Sequence, residues 1–177
     1  MDDFTKEAAM TIARLMCASA RTAPKTTGVD DIKISILPEE RFQDIAACME
    51  ELAEERGKSY FARDAKNLLN SDAAIIIGVN NRPVGLNCGA CGHDCKTFLK
   101  YRKEDADFPG PICVYKSIDL GIALSSAVKT ASIHNADNRM MYTIGIAARR
   151  LHLIEGDVVI GIPISLKGKN IYFDRKT

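Results

Sequence analysis

Four of the six cysteines lie within 26 residues, as Cys88-Gly-Ala-Cys91-Gly-His-Asp-Cys95 and then Cys113 in Phe108-Pro-Gly-Pro-Ile-Cys113. The spacing Cys-x2-Cys-x3-Cys-x17-Cys constrains the chain strongly. It needs a scaffold that holds a loop on which thiolates a few residues apart can converge on one soft metal centre. Gly89 and Gly92 each follow a cysteine, so the backbone can turn tightly there and bring amide N–H groups toward sulfur. Four readings are open. The first is an iron–sulfur centre, a [4Fe-4S] cluster held by Cys88, Cys91, Cys95 and Cys113, because cluster iron prefers tetrahedral thiolate. The second is a structural zinc site, although zinc ribbons use two Cys-x2-Cys knuckles and only Cys88 to Cys91 is one. The third is a thiol redox pair at Cys88 and Cys91, which leaves Cys95 and Cys113 unexplained. The last is a chance grouping of buried thiols.

The remaining composition narrows the class. At 177 residues the chain suggests one domain, 1–177, and its 46% hydrophobic and 27% charged residues fit a globular fold. A net charge of +1, few aromatics and no Trp give no basis for nucleic-acid or anionic-membrane binding. The start Met1-Asp2-Asp3 lacks the basic, then apolar, pattern of a signal peptide. The stretch Leu120 to Val128 is far short of the ~20 apolar residues of a membrane span. A soluble, cytoplasmic protein is expected, and reduced clustered cysteines there favour metal or redox chemistry over disulfides.

Taken in order, the pattern predicts a helix over 2–21 with Phe4, Ala8, Ile12, Leu15, Met16 and Ser19 at helical spacing, ended by Pro24. Ile32, Ile34 and Ile36 alternate as a half-buried strand. A second helix opens at Pro38-Glu39-Glu40 and closes near Gly57, and a shorter one runs over 60–70. Ala73 to Val79 reads as a strand covered on both faces, which hangs the cysteines on the loop beyond a central strand. Segment 96–107, rich in charge, reads as a short exposed helix, and Pro109-Gly-Pro111 as a bend returning Cys113 to the other cysteines. From Ser117, a good N-cap, to His134 the chain predicts a helix with small and apolar residues all round. Burying it fully in so short a chain calls for a second subunit, a homodimer. A further helix is expected over 138–153, a buried strand over Val158 to Ile164 ending near Pro163, and a last short strand over 171–173. The cysteine segment, 82–115, is then an insertion in a single α+β domain. Cys17 and Cys48 read as buried small side chains, His134 and His152 as structural helix-end residues, and His93 as a loop residue near the metal or a replacement ligand. No phosphate-binding Gly-x-Gly-x-x-Gly, Walker loop or Ser–His–Asp arrangement is present.

Three resemblances add to this reading. Cys88-Gly-Ala-Cys91-Gly92 resembles the four-cysteine [4Fe-4S] domain of electron-transfer proteins such as the ferredoxin-like subunit of the Rnf complex. Those proteins commonly separate the second and third cysteines by one residue more than this chain does. Over nearly its full length the chain resembles the DUF2148 family of ferredoxin-domain-containing proteins. That match is carried by Ser19-Ala-Arg-Thr-Ala-Pro-Lys25, Cys88-Gly-Ala-Cys-Gly92, Lys116-Ser-Ile-Asp-Leu-Gly-Ile-Ala123, 137–150 and Asp157-Val-Val-Ile-Gly-Ile-Pro163.

More distantly it is similar to FMN-dependent nitroreductases, through Ala20-Arg21-Thr22-Ala23-Pro24, the small-residue helix after Ser117 and Gly161-Ile-Pro163. Lys25 stands where that family usually has Ser, and Gly28 near where it has Asn. This resemblance implies a nitroreductase-like α+β sheet flanked by helices, an obligate homodimer and FMN at the subunit interface. Arg21, Lys25, Lys167 and Lys169 are then the candidates for a flavin phosphate, which needs fixed cationic donors. Together these point to electron transfer or a reductase with a redox partner outside the chain. The alternatives are a zinc-stabilised binding module or an iron–sulfur sensor without turnover.

Overall fold

The computed structural model describes residues 3–173. Among these, nine elements follow one another: α1 (Asp3–Thr22), β1 (Ile32–Ile36), α2 (Phe42–Arg56), α3 (Ser59–Leu69), β2 (Ala73–Val79), α4 (Val114–Ile133), β3 (Asp137–Asn138), α5 (Tyr142–Arg150) and β4 (Val158–Ser165). The strands form one antiparallel sheet in the order β1-β2-β4-β3. The fold is α+β, as expected.

Every residue of β2 is buried, because helices cover both faces of the sheet. Ala73, Ile75, Ile77 and Val79 meet Ile162 and Ile164 of β4 and the inner sides of α1 and α4. Ala74 and Ile76 point the other way, into a core built from α2, α3 and α5. The period of two along the strand thus sorts its side chains between two cores.

Sheet and helix come closest where α5 crosses β4. A Cβ on Gly145 would lie 1.7 Å from the Val159 carbonyl oxygen, and one on Gly161 would lie 2.3 Å from Ile144. Gly145 therefore lets helix backbone meet strand backbone, and Gly161 leaves room for the Ile144 side chain; any side chain at either place would push the layers apart.

Several sequence expectations shift. The helix expected from residue 138 starts at Tyr142, because Asp137 and Asn138 pair with Ser165 and Ile164 and Met141 exchanges both backbone hydrogen bonds with Gly161. The sheet has claimed those backbone groups. β4 does not end at Pro163. The Gly161 N–H faces Met141, so by alternation the nitrogen of Pro163 faces the same side, in the gap beyond the two-residue β3, and no ladder bond is lost. Segment 96–107 holds only a single 3₁₀ turn, Phe98–Tyr101. The 171–173 stretch is a turn rather than a strand, with the Asn170 Oδ1 accepting from the Tyr172 and Phe173 N–H groups at 2.9 and 3.2 Å. Asp2, placed at the first helix start, lies outside the described residues. In α1 the expected apolar stripe splits: Ile12 and Met16 are buried with Ala9 and Ala13, while Phe4 and Leu15 face outward.

Replacing Gly145 with Ala is expected to cost at least ~3 kcal/mol, since neither backbone can retreat without unpacking a core. Gly121→Ala, where nothing lies within 4 Å, is expected to leave folding intact. Urea unfolding of the two variants measures the contrast.

Candidate functional site

Residues 80–113 join β2 to α4 and carry all four clustered cysteines. Cys88 is exposed, Cys91 and Cys95 are half-buried and Cys113 is buried, and all are free thiols. Gly89 and Gly92 both have positive φ, and the Gly92 N–H closes a turn on the Gly89 carbonyl at 2.8 Å. Asn87 and Cys95 are tied reciprocally. The Asn87 N–H donates to the Cys95 Sγ at 3.3 Å, and the Cys95 N–H donates to the Asn87 Oδ1 at 3.1 Å. An amide donor on sulfur lowers the energy of negative charge added to a cluster held there.

Cys113 caps α4 rather than preceding it by a turn. Ser117, expected as the N-cap, lies inside the helix with its hydroxyl donating back to the Cys113 carbonyl at 3.4 Å. A buried thiol at the positive end of a 20-residue helix is well placed to hold negative charge.

The segment is anchored by a polar frame that the sequence did not disclose. Asn81, just beyond β2, is buried. Its N–H donates to the Asp157 Oδ2 at 2.7 Å, its Nδ2 to the Pro111 carbonyl at 2.5 Å, and its Oδ1 accepts from the Cys113 N–H at 2.6 Å. Arg102 forks onto the same Asp157 at 2.6 and 3.3 Å, and Arg56 forks onto Asp107 at 2.5 and 2.8 Å. Two of the charges of 96–107 that suggested an exposed helix, Arg102 and Asp107, are spent on these struts. Burial raises the Asp157 carboxyl, but the Arg102 guanidinium and the Asn81 amide outweigh it and hold the pKa below the ordinary value.

Beside the anchor lies a buried ionic row. The Lys116 ammonium sits 2.8 Å from Asp31 and 3.4 Å from Asp119, and Arg82 reaches Asp31 at 2.7 Å. Asp119 also accepts from the Thr26 N–H and hydroxyl at 2.8 and 2.7 Å. Two carboxylates and two cations balance, so no lone charge is buried. The row locks the loop after α1 against the base of the cysteine segment. A buried Lys three residues before an Asp on one helix face was the only sequence signal for it.

Among the described residues no three His, Cys, Asp or Glu side chains are gathered closely enough to hold a metal ion. The donor set is nonetheless suited to thiolate-ligated iron: four free thiols, an amide on one sulfur and a helix N-terminus behind another. Cys17 and Cys48 stand apart. Burial pushes the Cys17 thiol up to about 11 and raises Cys48 as well, as befits inert core cysteines.

The four cations proposed for a flavin phosphate are divided between the two ends of the sheet. Arg21 and Lys25 lie near Ile32, where Arg21 holds Asp30 at 2.6 Å and the Ile32 carbonyl at 2.9 Å, and Lys25 donates to the Arg21 carbonyl. Lys167 bonds the Asn70 carbonyl beyond the other end of β2, with Lys169 two residues further on. The seven-residue strand between them spans ~20 Å. A single chain therefore offers no joint phosphate cradle from these four, and they do not fit an FMN phosphate within one subunit.

Comparison with solved structures places the fold. A BluB-like flavoprotein from Clostridium difficile 630 aligns over 100% of this chain and 86% of its own, with a TM-score of 0.58 and 13% identity. A nitroreductase with bound FMN from Desulfitobacterium hafniense DCB-2 aligns over 93% and 82%, with a TM-score of 0.57 and 12% identity. The chain thus has a nitroreductase-like fold. A protein of Archaeoglobus fulgidus, described as an uncharacterized protein, is 47% identical over 175 residues, covering 98% of this chain and 95% of that one. The model of the family described as uncharacterized protein containing a ferredoxin domain (DUF2148) matches residues 109–175, from the Pro-Gly-Pro bend and Cys113 through β4. The chain belongs to this family. Among the described residues no helix is long and apolar enough to cross a membrane.

The depressed carboxyl of Asp157 makes the anchor acid-sensitive. The folded state binds its proton less readily than the unfolded chain does. The stabilisation is therefore complete above the ordinary carboxylate value of 3.8 and is lost as pH falls through the lower folded value. Asp157→Asn is expected to cost ~2 kcal/mol at neutral pH and to flatten the acid limb, as read by urea unfolding at pH 7 and pH 3.

Proposed function

We propose that this is a cytoplasmic iron–sulfur redox protein in which Cys88, Cys91, Cys95 and Cys113 hold a [4Fe-4S] centre for electron transfer or reduction of an external acceptor. The observation that carries the reading is the cysteine segment itself. Three thiols lie on a glycine-turned loop with an amide donor on sulfur, and the fourth sits at a helix N-terminus. When bound, such a centre supplies one electron at a time at a potential tuned by hydrogen bonds, charge and burial. The chain's own part is to hold the thiols on a rigid base through Asn81, Asp157 and Arg102, and to stabilise negative charge through the Asn87 amide and the α4 dipole. No step is assigned to a flavin, because the cations expected to hold its phosphate are separated.

The functional unit proposed is a homodimer through α1 and α4. Sheet contacts bury only the inner side of α4, so the helix expected to be covered all round is half open in one chain. Ile118, Gly121, Ile122, Ser125 and Ile133 form its outer side, and Phe4 and Leu15 are exposed on the neighbouring α1. A row of exposed large apolar residues interspersed with small ones suits an isologous contact between copies.

Anaerobic reconstitution with iron and sulfide is expected to bind about four of each per chain and to fail in Cys88→Ala. Uptake of zinc without sulfide would overturn the redox reading and leave a structural module. In sedimentation the wild type is expected to run as a dimer and Ile118→Glu/Ile122→Glu as a folded monomer; a wild-type monomer would sink the assembly.

A further inference from the structure

We infer that the cavity on the outer wall of the cysteine segment is a binding site for a planar aromatic anion. The cavity has a volume of about 690 Å³, within the range of small-molecule sites. Its lining combines two features. One is aromatic: the His93 and Tyr101 rings stack at 4.6 Å and 29°, and Phe108 lies on the same wall. Tyr101 is 54% exposed, so an aromatic ring held in place by its neighbour is left open to solvent. The other feature is cationic: Lys100, Arg102 and Lys103 line the same space.

The cations differ in availability. Arg102 is pinned by Asp157 and Glu104, whereas the Lys100 and Lys103 ammonium groups carry no ion pair among the described residues. Asp105 is the one carboxylate of the lining, so with Arg102 already paired two free lysines face one anion. Positive charge is concentrated where the aromatic surface is open. A flat π-system can stack on the His93–Tyr101 pair while its anionic group meets the free lysines, a combination that neither a simple inorganic ion nor a neutral aromatic exploits in full.

The walls are held rather than loose. The backbone of Lys103 pairs with Gly110 through two hydrogen bonds of 2.7 and 3.2 Å, and Phe108 is capped by the Arg149 guanidinium at 5.9 Å. The site also adjoins the thiols, since the Cys91 Sγ lies 3.7 Å from the carbonyl oxygen of His93. Binding stands on the cavity alone; that the anion is the redox partner of the cysteine centre rests on the reading above.

Calorimetric titration of the metal-free protein with anthraquinone-2-sulfonate tests this, using the uncharged 2-hydroxymethyl analogue and inorganic phosphate as comparisons. Saturable one-to-one binding is expected, weakened at least tenfold in Lys100→Glu/Lys103→Glu and several-fold in Tyr101→Ala, and weakened by salt. The lysine double variant should keep the wild-type unfolding midpoint, because neither lysine makes an ion pair within the described residues. Equal affinity in the lysine double variant, or phosphate binding as tightly as the sulfonate, overturns the proposal. Cys88→Ala should bind the probe unchanged. Loss of probe binding in every form would refute the docking site while leaving the iron and sulfide counts to judge the redox reading separately.

Discussion

One buried side-chain amide closes the segment that carries the four clustered cysteines. Asn81 and Cys113 are 32 positions apart, yet the Asn81 Oδ1 receives the Cys113 N–H directly. Closing a flexible loop of that length costs ~3 kcal/mol in chain entropy plus a constant. A single neutral hydrogen bond contributes less than this, so the closure relies on several groups acting together. Asn81 supplies three of them, to Asp157, Pro111 and Cys113. Arg102 adds the charge-assisted fork on Asp157, and Arg56 another on Asp107. Removal of the Asn81 amide leaves the Cys113 N–H stranded in a buried place, so the exposed Arg56 fork alone cannot hold the segment closed.

The main layers could be read from the chain because they rest on periodicity. The continuous apolar run of β2, the alternation of β1, the helical spacing in α1 and the small, apolar stretch of α4 each correspond to an element. What failed had a common cause. Residues 137–141 look helical in isolation, but their backbone groups are taken by β4, a partner twenty or more positions away. The charged run 96–107 has a solvated-helix composition, yet Arg102 and Asp107 pair with Asp157 and Arg56. Long-range partners override local preference, and no window of sequence contains them.

The candidate site was legible in a different proportion. Cysteine spacing picked out the candidate thiols, since ligand chemistry is carried by residue type. Their support was not identified: Asn81, Asp157 and the Arg82–Asp31–Lys116–Asp119 row are ordinary residues until the fold brings them together. The phosphate candidates show the converse. Four cations looked interchangeable in sequence, and the topology of the sheet separates Arg21 and Lys25 from Lys167. A basic residue acquires a role from the sheet end at which its strand or helix terminates.

The anchoring of the cysteine segment has a consequence for the order of assembly. Its struts end on Asp157, Asp31 and Arg56, and no cysteine of the cluster belongs to either core. In small metal-dependent modules, folding and loading are one event. Here two cores close without any help from Cys88, Cys91 or Cys95. A prosthetic group on these thiols would be delivered to a finished protein, and damage to it could be repaired in place without the polypeptide being remade.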